Sequence, residues 1–196
     1  MRRLLALIVL ALVGCSSGVV AESVPPSGSS GSASELNSAL LAAAYVNDVA
    51  TASRLIADGA DVNHKDGSVQ SAYLIATSEV GDDPRLLDLC LANGAKVDDL
   101  DSYNGTGLIR AAHRGYPVIV ARLVAADIPL DHINRLGWTA LLEAVILGNG
   151  GSAHQQVVRV LLDAGADASI KDFQGMTAVD HARQRGQQAI VELLGR

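Results

Sequence analysis

The chain has 196 residues, a net charge of −6, and few aromatic side chains: one Trp, one Phe and four Tyr. Its apolar content is mainly Ala, Leu, Val and Ile, which suits small, closely packed helices and argues against a β-sandwich built on aromatic and β-branched strands. The acidic balance leaves no electrostatic footprint for nucleic acid.

The first residues read as a targeting segment, not as part of a fold. Arg2 and Arg3 give a positive start, and Leu4 to Val13 form an unbroken apolar run. As a helix that run spans roughly 15 Å, about half a bilayer core, so it is too short for a stable span and suits a signal-peptide core. The residues Leu12-Val13-Gly14-Cys15 then resemble the lipobox of bacterial lipoproteins. The resemblance implies cleavage after residue 14, a diacylglycerol on the sulfur of Cys15, and a place in the cell envelope outside the cytoplasm, with the membrane reached through the N-terminal lipid. Two or three acyl chains give a stable anchor where one gives only marginal attachment. Residues 15–33 are rich in Ser and Gly and include Pro25-Pro26, the composition of a flexible tether. With Cys15 consumed, Cys90 is the remaining thiol, and its apolar surroundings predict a buried, unreactive side chain.

From residue 34 onward the chain repeats itself. A small hydroxyl residue followed by an apolar stretch recurs at Ser38, Ser71, Thr106, Thr139 and Thr177. Five positions after each stands an Ala: Ala43, Ala76, Ala111, Ala144 and Ala182. A second signal keeps the same phase: Gly59-Ala60-Asp61-Val62-Asn63, Gly94-Ala95-Lys96-Val97-Asp98, a weaker stretch from Asp127 to Asp131, and Gly165-Ala166-Asp167-Ala168-Ser169. This period resembles the ankyrin repeat. The resemblance implies an all-α solenoid of about five helix-turn-helix repeats joined by β-turn tips, over about 34–66, 67–101, 102–134, 135–172 and 173–196.

Each marker has a physical role. The hydroxyl caps the first helix of its repeat. The Ala keeps that helix slim, so repeats can approach. Val118, Val120, Leu123 and Val124 are the expected apolar face of a second helix. Pro84 and Pro117 stand where second helices begin, and Gly59, Gly94 and Gly165 where they end. Asp127 takes the glycine's place in the third repeat, which predicts a looser cap there. The family's T-P-L-H start is altered: Leu41, Leu74, Ile109, Leu142 and Asp180 occupy the His position, so apolar packing must substitute for that histidine's hydrogen bonds. Extra residues around Gly81 to Pro84 and Gly148 to His154 are expected to enlarge loops between the two helices, the second as a flexible glycine-rich insertion. Gln187, Gln188, Glu192 and Arg196 are expected to face water on the terminal repeat.

Chemistry is harder to find. The five histidines, His64, His113, His132, His154 and His181, are scattered singly and read as surface residues. Asp98, Asp99 and Asp101 read as a solvated turn without EF-hand spacing. No enzymatic constellation, cofactor or metal site is indicated. The resemblance implies instead a monomer that binds an envelope or secreted protein on the face made by turn tips and first helices, as scaffold or regulator. The narrower alternative is an inhibitor or immunity-type protein that neutralises one enzyme or toxin. On that face the repeat places Tyr103, Trp138, Met176 and Tyr116. It also aligns Arg110, Glu143 and His181, as a strip that reads a partner or as an ion-pair ladder between repeats. Trp138 is either an exposed anchor or a ring packed on the adjacent turn.

Overall fold

The computed structural model describes residues 31–195. The expected leader, Cys15, nearly all of the expected tether, and Arg196 lie outside the described residues.

Ten helices pair off into five units: α1 (Ala33–Tyr45) with α2 (Val49–Ala57), α3 (Ala72–Ser78) with α4 (Arg85–Ala92), α5 (Gly107–Arg114) with α6 (Pro117–Ala125), α7 (Ala140–Ile146) with α8 (Ser152–Asp163), and α9 (Ala178–Gln184) with α10 (Gln188–Leu194). The first helices stack in order, α1 on α3, α3 on α5, α5 on α7 and α7 on α9. Among the described residues the sheet content is a single isolated bridge, Leu100 with Thr106.

The small residues explain the stacking. Ala76, Ala111, Ala144 and Ala182 are wholly buried, and Ala43 nearly so. One repeat trades volume with the next. Tyr73 fills the core of repeat two, and its hydroxyl donates to the Val97 carbonyl at 2.9 Å. Repeat three makes room with Gly107, where a Cβ would sit 2.7 Å from that hydroxyl and 2.8 Å from Thr77 Cγ2. Leu41, Leu74, Ile109 and Leu142 are buried at the substituted histidine position. In repeat five Asp180 instead completes a reciprocal cap with Thr177.

Ser71, Thr106, Thr139 and Thr177 each accept a hydrogen bond from the third residue of their helix, as the repeat predicts. Ser38 does not: it lies inside α1, exposed, and Ser32 caps that helix through a box with Glu35. Among the described residues no turn tip precedes the first unit, and α1 starts at the Ser32 cap, inside the stretch expected as tether. The cap at Asp127 (φ 57°) is looser than its counterparts. Its closing bond, from the Ile128 N–H to the Leu123 carbonyl, is 3.4 Å against 2.9–3.0 Å for Ala60, Ala95 and Ala166.

Four further expectations are corrected. Val118 is exposed, and Ile119 joins Val120 and Leu123 in the core. The insertion near residue 150 mostly lengthens α8, and its loop is tightly packed: a Cβ at Gly148 would collide with the Ala144 carbonyl and the His154 ring. His154 is buried, with Nε2 3.1 Å from the His113 carbonyl and Nδ1 3.1 Å from Asn149 Oδ1. Gln187 is half-buried and donates to the carbonyls of Val145 and Gly148, tying the last repeat to the one before. Cys90 is a buried free thiol, its pKa pushed up to about 12 by burial, as its neighbours predict.

The insertion in repeat two performs a second task. The N-terminus of α6 has Tyr116 as its cap residue and gains no side-chain acceptor from it. Asp82, from the α3–α4 loop one repeat earlier, accepts from the N–H groups of Val118 (3.1 Å) and Ile119 (2.9 Å). Its neighbour Asp83 accepts from Asn47 of repeat one at 3.0 Å.

Asp82→Ala should therefore lower stability by about 1 kcal/mol, the usual cost of losing a cap, with Asp82→Asn losing less; the urea midpoint of the chain checks this. A second expectation concerns Val69, which holds φ 63° at the turn position where repeats four and five have Gly137 and Gly175. A β-branched residue there is strained, so Val69→Gly should raise stability by about 1 kcal/mol in the same assay.

Candidate functional site

Four turn tips share one construction. Asp66, Asp101, Asn134 and Asp172 each stand five residues before the capping hydroxyl, and each side chain accepts from the backbone N–H groups two and four residues on. The same residues donate their own N–H to the carbonyl four residues later, at 2.9–3.1 Å. These are Asx-type turns, in which the side chain substitutes for a backbone acceptor. The signal stood in the sequence, five positions before each hydroxyl, and repeat reasoning passed over it; Asp101 belongs to this set and is no solvated turn residue.

In three repeats the tip residue also meets the side chain four positions after the hydroxyl. Arg110 Nη1 donates to Asp101 Oδ2 at 3.1 Å, Asn134 Nδ2 lies 3.5 Å from Glu143 Oε2, and His181 Nε2 lies 2.7 Å from Asp172 Oδ2. The expected alignment of Arg110, Glu143 and His181 is therefore braced repeat by repeat. It is not a ladder of ion pairs running from one of the three to the next.

Between the tips of repeats three and four and helices α3, α5 and α7 lies a cleft of about 370 Å³. Its floor holds Arg110 and Glu143, its walls Tyr103, Leu136 and Leu147, and His113 stands at one side. Both terminal nitrogens of Arg110 are engaged, since besides Asp101 it donates to Ser78 Oγ at 2.7 Å, Gln70 Oε1 at 3.0 Å and Glu79 Oε1 at 3.3 Å, while its buried Nε–H has no acceptor among the described residues. Arg114 shares Glu79 at 3.4 Å.

Glu143 is the exception. Its side chain is only 8% exposed, yet its oxygens find Asn134 and His113 at 3.5 Å each, the outer limit of a hydrogen bond. Burial pushes its carboxyl up to about 7, Asp101 adds to the shift, and Asn134 opposes it. His113 is lowered by burial and by the charges of Arg114, His154 and Arg110. Both members are driven toward their neutral forms near neutral pH, so their proximity is not an ion pair.

The cleft brings together Tyr103, Arg110 and Glu143 of the expected residues. It does not include the others. Trp138 is half-buried against the core instead of standing free, and its indole N–H has no acceptor among the described residues. Tyr116 packs against the core at the start of α6, and Met176 is half-buried in the last tip. What the repeat pattern missed is apolar side chains standing in solvent on the tips: Leu136 (42% exposed) and Phe173 (75%), beside Tyr103 (62%). Phe173 lies across Gly137 of the preceding tip, where a Cβ would meet its ring at 2.8 Å. Tip positions vary freely between repeats, so no periodic marker points to them.

Comparison with known proteins agrees with this architecture. The family described as ankyrin repeats in three copies matches residues 73–172, and the single ankyrin repeat matches residues 35–67. The chain is 34% identical over 157 residues to the ankyrin repeat protein YahD of Escherichia coli (strain K12), covering 80% of this chain and 77% of that one. It is 32% identical to the mitochondrial disaggregase of Bos taurus over 78% of its own length, which spans 22% of that larger protein. Among solved structures, an ankyrin repeat domain from Acinetobacter baumannii AYE superposes with a TM-score of 0.74 at 44% identity, over 79% of this chain and 78% of that one. The ankyrin repeat protein EF0377 superposes with a TM-score of 0.73 at 36% identity, over 80% and 79%.

The raised carboxyl has a measurable consequence. Between about 4.5 and about 7 the folded chain holds a proton on Glu143 that the unfolded chain has released, so stability falls as pH rises through that window. Glu143→Gln should match the parent near the bottom of the window and exceed it by about 1–2 kcal/mol above it, a figure reduced for the open side of the cleft. Urea unfolding of both chains across this range tests it; parallel pH profiles would contradict the assignment.

Proposed function

The chain belongs to the ankyrin-repeat family, and from that we propose that it is a binding protein whose tip and first-helix face holds a partner protein, tethered to the cell envelope by lipid on Cys15. The observation that carries the binding reading is the row of large apolar side chains left in water on three successive tips, Tyr103, Leu136 and Phe173, beside a polar cleft. Exposed apolar side chains gathered on one face are characteristic of interaction surfaces, and aromatic residues dominate the energy of such contacts. Repeat stacks suit this role because their elements form one continuous surface with side chains that vary independently.

The envelope reading rests on the sequence alone: the positive start, the short apolar run, and Gly14-Cys15 at its end. With Ser16 after the cysteine, the acidic residue that marks inner-membrane retention in some enteric bacteria is missing, which favours an outer membrane where there is one. The partner is then an envelope or secreted protein, which the chain scaffolds or regulates.

Recovery of partners from envelope extracts tests both parts. A chain carrying Tyr103→Ala and Phe173→Ala should recover its partner at least about tenfold less well than the parent, while Arg159→Ala, on the opposite helix layer, should recover it equally. Trp138 and Arg110 make poor probes, because both help hold the fold. Radiolabelled palmitate should enter the parent and not Cys15→Ser. Equal recovery by the tip variant would remove the placement of the surface, and an unlabelled parent would remove the anchor.

A further inference from the structure

We propose that the cleft between α3, α5 and α7 receives one basic side chain, arginine or lysine, from the partner protein, and that Glu143 selects it. This rests on the reading that the tip face binds protein, and it names what that protein must present.

The argument is an inventory of charge. Three carboxylates and two guanidinium groups line the cleft. Asp101 and Glu79 are engaged by Arg110 and Arg114 at 3.1–3.4 Å. Asp101 also accepts two backbone N–H groups. Arg110 has acceptors from four different residues. Of the three carboxylates Glu143 alone has no cation paired with it, and on the cationic side the buried Arg110 Nε–H is the donor without an acceptor among the described residues. Glu143 is more than nine-tenths buried and has only long contacts to Asn134 and His113. A carboxyl in that position gains most from a donor that brings positive charge. An anionic group would meet Glu143 beside two guanidinium groups already paired with Glu79 and Asp101.

The shape agrees with the charge. Leu136 and Leu147 offer apolar walls for a methylene stem, and the exposed ring of Tyr103 stands at the mouth, where it can stack on a cation. The volume of about 370 Å³ admits one long side chain. A cation entering the cleft favours the ionised form of Glu143, so binding releases a proton and strengthens as pH rises. The other groups facing Glu143 act in the same direction or stay constant. His113 of α5, if protonated at lower pH, competes with the incoming cation. Arg110 with Asp101 and Arg114 of α5 with Glu79 at the end of α3 hold their pairings, and Asn134 does not titrate.

The test uses the full chain in detergent micelles, labelled with nitrogen-15, and two peptides. One is acetyl-Ala-Leu-Arg-Leu-Ala-amide; the other has norleucine in place of the arginine. Shifts of the Tyr103 and Leu147 amides report occupancy of the cleft. The arginine peptide should bind at least about tenfold more tightly at about pH 8, with the preference shrinking toward about pH 6. Glu143→Gln, checked for folding by its melting curve, should bind both peptides alike. Equal affinity of the two peptides at the higher pH, no binding of the arginine peptide, or a preference that persists in Glu143→Gln overturns the proposal. The pH profile of the parent stands even if that variant unfolds. Equal binding of both peptides at these amides would remove the basic-side-chain pocket and leave the protein-binding face intact. Failure of the tip variants in the recovery experiment would instead remove the face itself.

Discussion

A unit of two short helices cannot hide its own apolar face, and every feature of this chain follows from lending that face to a neighbour. Helices of seven to nine residues, the length of most here, are marginal alone. They persist because alanines at fixed intervals let the first helices nest, burying Leu74, Leu108 and Leu141 on both sides. Where one repeat carries a larger residue, the next gives way, as Gly107 does beneath the Tyr73 hydroxyl. Close packing of this kind leaves little freedom in the layers and concentrates variation in the tips.

The tips are stiff for a different reason. An acidic or amide side chain closes each of four turns on itself, so no particular residue is needed at the apex. That freedom allows Ser68, Tyr103, Leu136 and Gln174 to occupy equivalent places. The tip residue also reaches the first helix of its own repeat, and the chemistry of that contact differs by repeat: Asp with Arg, Asn with Glu, Asp with His. Only the middle combination lacks an opposite charge. The amide at Asn134 closes its turn as well as a carboxylate does, yet cannot neutralise Glu143, and a structurally equivalent tip thus leaves one chemically distinct site.

The repeat itself was fully legible in the sequence, because stacking imposes a strict period on alanine, glycine and the capping hydroxyl. The end effects were not. Ser38 matches its counterparts by spacing but sits mid-helix, since Ser32 and Glu35 form a capping box further up the chain and take over its role. Gln187 and His154 carry polar labels yet are drawn inward by backbone carbonyls of the preceding repeat, a contact between residues about forty positions apart. Val118 fits an apolar stripe but falls on the outer side, because Pro117 fixes where α6 starts and so sets the rotation of its faces. Arg110 and Glu143 could be placed on one surface from spacing alone. Which of them had its charge paired depended also on Ser78, Glu79 and Gln70, contributed by a different repeat.

The acidic pair between α3 and α4 has a mechanical consequence. Asp83 holds Asn47 of the first repeat while Asp82 holds the start of α6 in the third. Nearest-neighbour stacks ordinarily fray one unit at a time. Here the second unit is riveted to both flanking ones, so the first three should open together, as a single foldon. Under thermal fluctuation those three units then keep a common spacing, and the tip that carries Tyr103 rides on the part that holds together.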